Sequence, residues 1–153
     1  GPHNNAIAAE ALMCFEDLKT DFKNYQKQII KNAKALAEYL KKDGFRLVTN
    51  GTDNHLMLID CKSVDLDGKT AQDLLESAGI TVNRNAISGD TSPFNPTGLR
   101  LGTPAVTTRR MKEKEMEKIA HWFKRVLIGK EAVTKIKKEV EELCKKFPLD
   151  RYD

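Results

Sequence analysis

An α+β fold, with a small, mainly antiparallel sheet covered by helices, is what this 153-residue sequence predicts, on three observations. Apolar residues recur at helical spacing through residues 4–42 and again through 108–147. Between these segments lie short apolar runs bounded by Asn-Gly, Asp-Gly and Gly-Asp pairs, which read as strands and turns. The order is helix, two strands, helix, strand, strand, two helices, without the regular strand–helix alternation that builds a parallel sheet.

Residues 4–42 read as helix in two pieces. Ile7, Ala8, Ala11, Leu12 and Phe15 form one apolar stripe; Phe22, Tyr25, Ile29, Ala33, Leu36 and Leu40 form another. Thr20-Asp21 offers a new N-cap, so a break is expected near Lys19. Gly44 stops the second piece, with Lys41 and Lys42 at the negative end of its dipole. Only the second piece has a sheet to cover, so the first is expected to rest on something outside these residues. Residues 1–43 are accordingly expected to be a helical connector, and 44–153 the small domain.

Phe45 to Thr49 and Leu56 to Asp60 read as strands joined by a reversal at Asn50-Gly51. Asp67-Gly68 turns into a helix over about Thr70 to Ser77, which Gly79 ends, and Ile80 to Asn83 is the third strand. Asn85 to Gly98 is a loop long enough to be functional or mobile. The fourth strand is Leu99, Arg100, Leu101. A helix over about Thr108 to Leu127 buries Met116, Ile119, Ala120, Phe123 and Leu127; after Gly129, a helix over about Lys130 to Phe147 buries Val133, Ile136, Val140, Leu143 and Phe147.

The length suits one domain with its own core. A net charge of +4 without a clustered basic stripe gives no reason to expect nucleic acid, and no apolar run has the length of a membrane span. Cys14, Cys61 and Cys144 are scattered and odd in number, which indicates neither a disulfide framework nor a metal site and fits a reducing compartment such as the cytoplasm. His55, at a strand entry, reads as a hydrogen-bonded structural residue, and Asp53 and Asn54 as turn residues. His3 would cap the first helix or touch a missing domain, while His121 lies on a helix surface. Arg109-Arg110 begins a basic helix or clamps an anion. Lys135, Lys137, Lys138, Lys145 and Lys146 form a solvated helix face.

Arg100 carries the most chemistry. Set between two leucines on a strand, it points to the face opposite both, and its planar fork suits a carboxylate or phosphate. Spacing alone favours the plainer reading, a solvated arginine on the exposed face of a half-buried strand.

Five ordered blocks shift that balance by resemblance. Gly1-Pro2-His3-Asn4 with Ile7-Ala8-Ala9 resembles the G-G-P-H-N-x-x-I-A-A of serine hydroxymethyltransferases, without its first glycine. Lys31-Asn32-Ala33-Lys34-Ala35-Leu36-Ala37 is similar to that family's long connecting helix, and Gly51-Thr52-Asp53-Asn54-His55-Leu56 to its G-T-D-N-H-L. Asn83-Arg84-Asn85 resembles N-K-N, and Gly98-Leu99-Arg100-Leu101-Gly102-Thr103-Pro104-Ala105 matches G-L-R-L-G-T-P-A. The likeness covers residues 1 to about 127, and five blocks in order are far more specific than any one.

The resemblance implies the C-terminal domain of a pyridoxal-phosphate enzyme that interconverts serine and glycine and moves a one-carbon unit to tetrahydrofolate. In that reading Arg100 holds the amino-acid carboxylate, and Gly1 lies near the glycine whose amide reaches the cofactor phosphate of a partner subunit. The Ser88, Gly89, Asp90 loop lies by the folate ring. The family often has proline where Ser88 stands, and some members have a folate-contacting asparagine where Gly89 stands. The threonine-rich stretch with the family's cofactor-attaching lysine is absent, as are the aspartate and histidine that hold the cofactor ring. The expectation is therefore a domain separated from its catalytic partner and inactive alone, from a parent that is a homodimer or homotetramer. The family occurs in cytoplasm, mitochondria and plastids. Two rivals stand beside it: a freestanding α+β module binding a protein or RNA, and an aminotransferase of the same fold type, against which the G-T-D-N-H-L block argues.

Overall fold

The computed structural model describes residues 1–92 and 94–149. Helices α1 (Asn4–Asp17) and α2 (Thr20–Lys42) lead into strands β1 (Arg46–Leu47) and β2 (Leu56–Asp60). Helix α3 (Gly68–Ser77), strands β3 (Asn83–Asn85) and β4 (Gly98–Gly102), and helices α4 (Pro104–Thr108), α5 (Glu113–Phe123) and α6 (Val133–Lys146) follow. The strands form one antiparallel sheet in the order β1-β2-β4-β3, so the fold is α+β as the sequence predicts.

Helix α2 buries Ile29, Asn32, Ala33, Leu36, Ala37 and Leu40, a stripe three and four residues apart that lies against α5 and the sheet. The inner sheet face supplies Leu47, Met57, Ile59, Leu99 and Leu101, and α5 adds Met116, Ala120 and Phe123. Phe123 meets Phe45 edge to face at 6.4 Å. Helix α2 ends as expected: Gly44 takes φ +100°, its N–H donates to the Lys41 carbonyl, and the Phe45 N–H donates to that of Leu40. Cys61 is fully buried, and burial together with Asp60 and Asp67 pushes its thiol up to about 12; Cys14 is exposed and Cys144 half-buried.

Several expected boundaries move. The break between the first helices falls at Leu18–Lys19, but the N-cap is the extended Lys19, with Thr20 already helical and no side-chain cap. His3 stands at the N-cap of α1 without a capping side chain; its carbonyl accepts the Ile7 N–H. The first strand shrinks to Arg46–Leu47. The third begins at Asn83 rather than Ile80, because the Ile80 N–H is consumed in closing α3, donating to the Leu75 carbonyl beyond Gly79 at φ +80°. The helix predicted over 108–127 starts late, its first residue, Thr108, ending the separate short helix α4, and its last turn, Lys124–Ile128, is a π-helix. Arg110, at φ +67°, closes α4 while Met111 turns into the core, and α5 starts only at Glu113. The last helix starts at Val133 instead of Lys130, which has φ +50°, and Phe147 is its C-cap.

Between α5 and α6, Arg125 donates bidentately to Glu139 at 2.6 and 2.8 Å and to Glu131 at 2.5 Å, and Trp122 Nε1 donates to Glu139 at 2.8 Å. Hydrogen bonds from Arg125 hold both carboxyls at about 2, well below their usual 4.5. A carboxyl with a depressed folded-state value stabilises fully above its unfolded value and loses that contribution as pH falls through the folded one. Acid titration from pH 4.5 to 2 is therefore expected to loosen α6. The emission of Trp122, the one tryptophan in the chain, should report it, and Glu139→Gln should flatten that response.

Helix α1 has no buried residue, and Ile7, Leu12, Met13, Phe15 and Leu18 are each more than half exposed. Large apolar side chains exposed in this number favour association. Light scattering over a dilution series is expected to show a mass that falls on dilution and is reduced to that of the monomer by Leu12→Glu with Phe15→Glu.

Candidate functional site

Strand β4 lies at the centre of the sheet, paired on both edges. Arg100 faces Leu58 of β2 on one side and Asn83 of β3 on the other. Leu99 and Leu101 point into the core, so alternation turns the exposed Arg100 to the opposite face. Its guanidinium makes no hydrogen bond or ion pair among the described residues. It lines a cleft of about 450 Å³ on the outer face with His55, Leu56, Thr81, Val82 and Asn83. A planar cation with no donor used among the described residues, on a strand paired along both edges, is suited to bidentate recognition of a carboxylate or phosphate.

A buried polar network sets the turn that follows. Asn32, completely buried on α2, donates to Thr107 Oγ1 and to the Met111 carbonyl, each at 2.9 Å, and accepts from Gln28 at 2.9 Å. Thr107 donates to the Thr103 carbonyl at 2.7 Å, and Thr103 Oγ1 to the Ile29 carbonyl at 2.9 Å. The Thr103 N–H donates to the carbonyl of His55, and Tyr25 shares a 2.9 Å hydrogen bond with Thr108. Helix α2 is thereby locked onto the end of the arginine strand. Sequence reading missed Asn32 in this role, although an asparagine on the buried stripe of an amphipathic helix is the signal that finds it.

The other expected site residues are dispersed. Gly1 is exposed ahead of α1, with open space about its α-carbon. Ser88 and Gly89 are exposed on the loop between β3 and β4, Gly89 at φ +92°. Asp90 turns inward and ties that loop together: it accepts from Ile87 N at 3.0 Å, from Thr97 N at 2.9 Å, and from the Thr97 hydroxyl, while Lys62 approaches at 3.5 Å. These donors hold its carboxyl well below the ordinary range. Pro93 of the same loop lies outside the described residues. Asn85 Oδ1, at the root of the loop, is buried and has no hydrogen-bond partner among the described residues. His55 is exposed and contributes through its backbone carbonyl, and Asn54 Oδ1 accepts the Leu56 N–H at 2.9 Å. His121 is exposed 3.9 Å from Asp43. Arg109 donates to the Phe147 carbonyl at 2.7 Å. No group of three or more potential metal ligands occurs among the described residues, and none of their helices is long and apolar enough to cross a membrane.

Fold and site together define a class: an α+β domain whose sheet presents, on the face away from the core, a guanidinium without a partner among the described residues. The family model described as serine hydroxymethyltransferase matches residues 1–123 of the 153, and the chain belongs to that family.

Proposed function

We propose that this chain is the C-terminal domain of a serine hydroxymethyltransferase and that Arg100 grips the carboxylate of the amino-acid substrate. The observation that carries the reading is the Arg100 guanidinium, without a partner among the described residues and held on a central strand inside the matching G-L-R-L-G-T-P-A block. A bidentate grip fixes the substrate's orientation and so supplies much of what positioning gives to catalysis.

Pyridoxal phosphate supplies an electron sink in this family, but the described residues do not form a seat for it. Every described lysine is exposed or half-exposed, and none lines either cleft beside Arg100. The cofactor, the serine–glycine interconversion and the transfer to tetrahydrofolate accordingly belong to a parent enzyme, a homodimer or homotetramer. Residues 1–43 are the connector towards its catalytic portion, and 44–153 the small domain onto which Ile29–Leu40 docks. The exposed apolar face of α1 suits contact with that portion. In the assembled enzyme the Gly1 amide reaches the cofactor phosphate of the partner subunit. Ser88 and Gly89 face the folate while Asp90 holds their loop in shape. The setting is cytoplasmic.

Free glycine and exposed lysines form imines with the aldehyde of pyridoxal phosphate by themselves, so adding both to the 153-residue chain is expected to give the same absorption spectrum as adding them to an unrelated protein with as many exposed lysines. A new long-wavelength band would overturn the incompetence of the isolated domain. The Arg100 Nε resonance is expected to shift with glycine, saturating on the order of tens of millimolar, and to ignore glycinamide, which lacks the carboxylate. Equal responses would overturn the role of Arg100.

A further inference from the structure

Because Ile80 is tied to the end of α3, β3 begins only at Asn83, opposite Arg100. Beyond that pair, Gly79–Val82 makes no ladder pairing with β4, and cavities lie beside Leu101 and Gly102. Two cavities meet there. The polar cleft on the outer face and a second one, of about 320 Å³, share Thr81, Val82, Arg100, Leu101 and Gly102. The second runs inward among Val106, Met111, Ile119 and Trp122, and Arg109 also lines it. Its volume falls at the small end of the range for ligand sites, about 300–1,000 Å³, and its make-up matches theirs: mostly apolar walls with a few convergent polar groups.

We infer that this junction binds an amphipathic carboxylate, with the carboxylate on Arg100 and an aryl or short alkyl tail in the apolar cleft. The charge requirement is set by two guanidiniums, of which Arg109 uses one donor on the Phe147 carbonyl and Arg100 uses none among the described residues. No lysine, aspartate or glutamate lines the apolar cleft, so its interior rewards a hydrocarbon group. Glycine and serine have no such group and leave this cavity unfilled, so this ligand class goes beyond the substrate reading while resting on the same arginine. A carboxylate of this kind competes with the amino acid for the guanidinium.

The test uses the 153-residue chain with three probes: 3-phenylpropionate, its neutral counterpart 3-phenylpropanol, and glycine. Trp122 emission reports filling of the cleft, and the Arg100 Nε resonance reports capture of the carboxylate. Phenylpropionate is expected to move both signals and to bind about tenfold or more tighter than glycine, because its ring leaves water. Phenylpropanol is expected to bind about tenfold more weakly than phenylpropionate, and Arg100→Gln, at an exposed position, to abolish that difference. Equal binding of acid and alcohol, binding unaffected by Arg100→Gln, or no Trp122 response would each overturn the inference. If glycine alone shifts Arg100, the substrate reading stands and this one falls. If phenylpropionate shifts it and glycine does not, the reverse holds.

Discussion

Arg100→Leu is expected to leave the fold untouched and to remove amino-acid recognition completely. The side chain is exposed and makes no bond among the described residues, so its loss breaks no described hydrogen bond or ion pair. Surface changes of that kind stay within about 0.5 kcal/mol, and the thermal midpoint should barely move. On the proposed role of Arg100 the functional loss should be severe, since leucine offers neither charge nor fork. The glycine-dependent shift should vanish, and when the domain is assembled with the family's catalytic portion, kcat/KM should fall roughly a hundredfold or more. Arg100→Lys separates charge from geometry. Lysine restores the cation without the two parallel donors, so a partial recovery of affinity with poor kcat is expected. A lysine variant equal to the wild type would show that a point charge suffices, and a leucine variant with normal glycine binding would remove Arg100 from the site.

Gly98→Ala should do the opposite, harming stability first and function only through it. Gly98 opens β4 opposite both Asp60 and Asn85. A β-carbon there would collide with Cγ2 of Ile87, lie 2.8 Å from the Asn85 carbonyl oxygen, and press on the Ile59 carbonyl at 3.4 Å. Two of these three obstacles are backbone, which cannot rotate away. Overpacking at such a point costs about 3 kcal/mol or more, a fall in thermal midpoint of roughly 10 °C. Denaturation followed by circular dichroism would measure it, and a midpoint shifted by less than about 2 °C would mean that the β3–β4 loop yields more easily than its Asp90 hydrogen bonds suggest.

Much of this architecture was legible in the chain itself. Helical spacing marked the buried face of α2, and Gly44 and Gly79 marked two helix ends because each adopts a positive φ that side chains resist. Leu56–Asp60 was read to the residue, and the Leu-Arg-Leu alternation placed Arg100 on the face away from the core. Less legible were the points where one group's hydrogen bond competes with another's. Ile80 and Val82 have strand propensity, yet the Ile80 N–H closes a helix instead of joining the ladder. Arg110 and Lys130 adopt positive φ without being glycine, so the breaks on either side of α5 left no mark in composition.

The candidate site divides in the same way. Local pattern and the five ordered blocks sufficed to single out Arg100 and to place the chain in its family, because alternation along a strand is a property of the backbone alone. The partners were settled only in three dimensions: Asn32 reaching Thr107 and Met111, Asp90 turned inward to hold its loop, and the gap beside Arg100 where two cavities join. The first and third bring together segments far apart in sequence, and the second depends on which nearby donors the Asp90 carboxylate finds; periodicity along one segment carries no information about either.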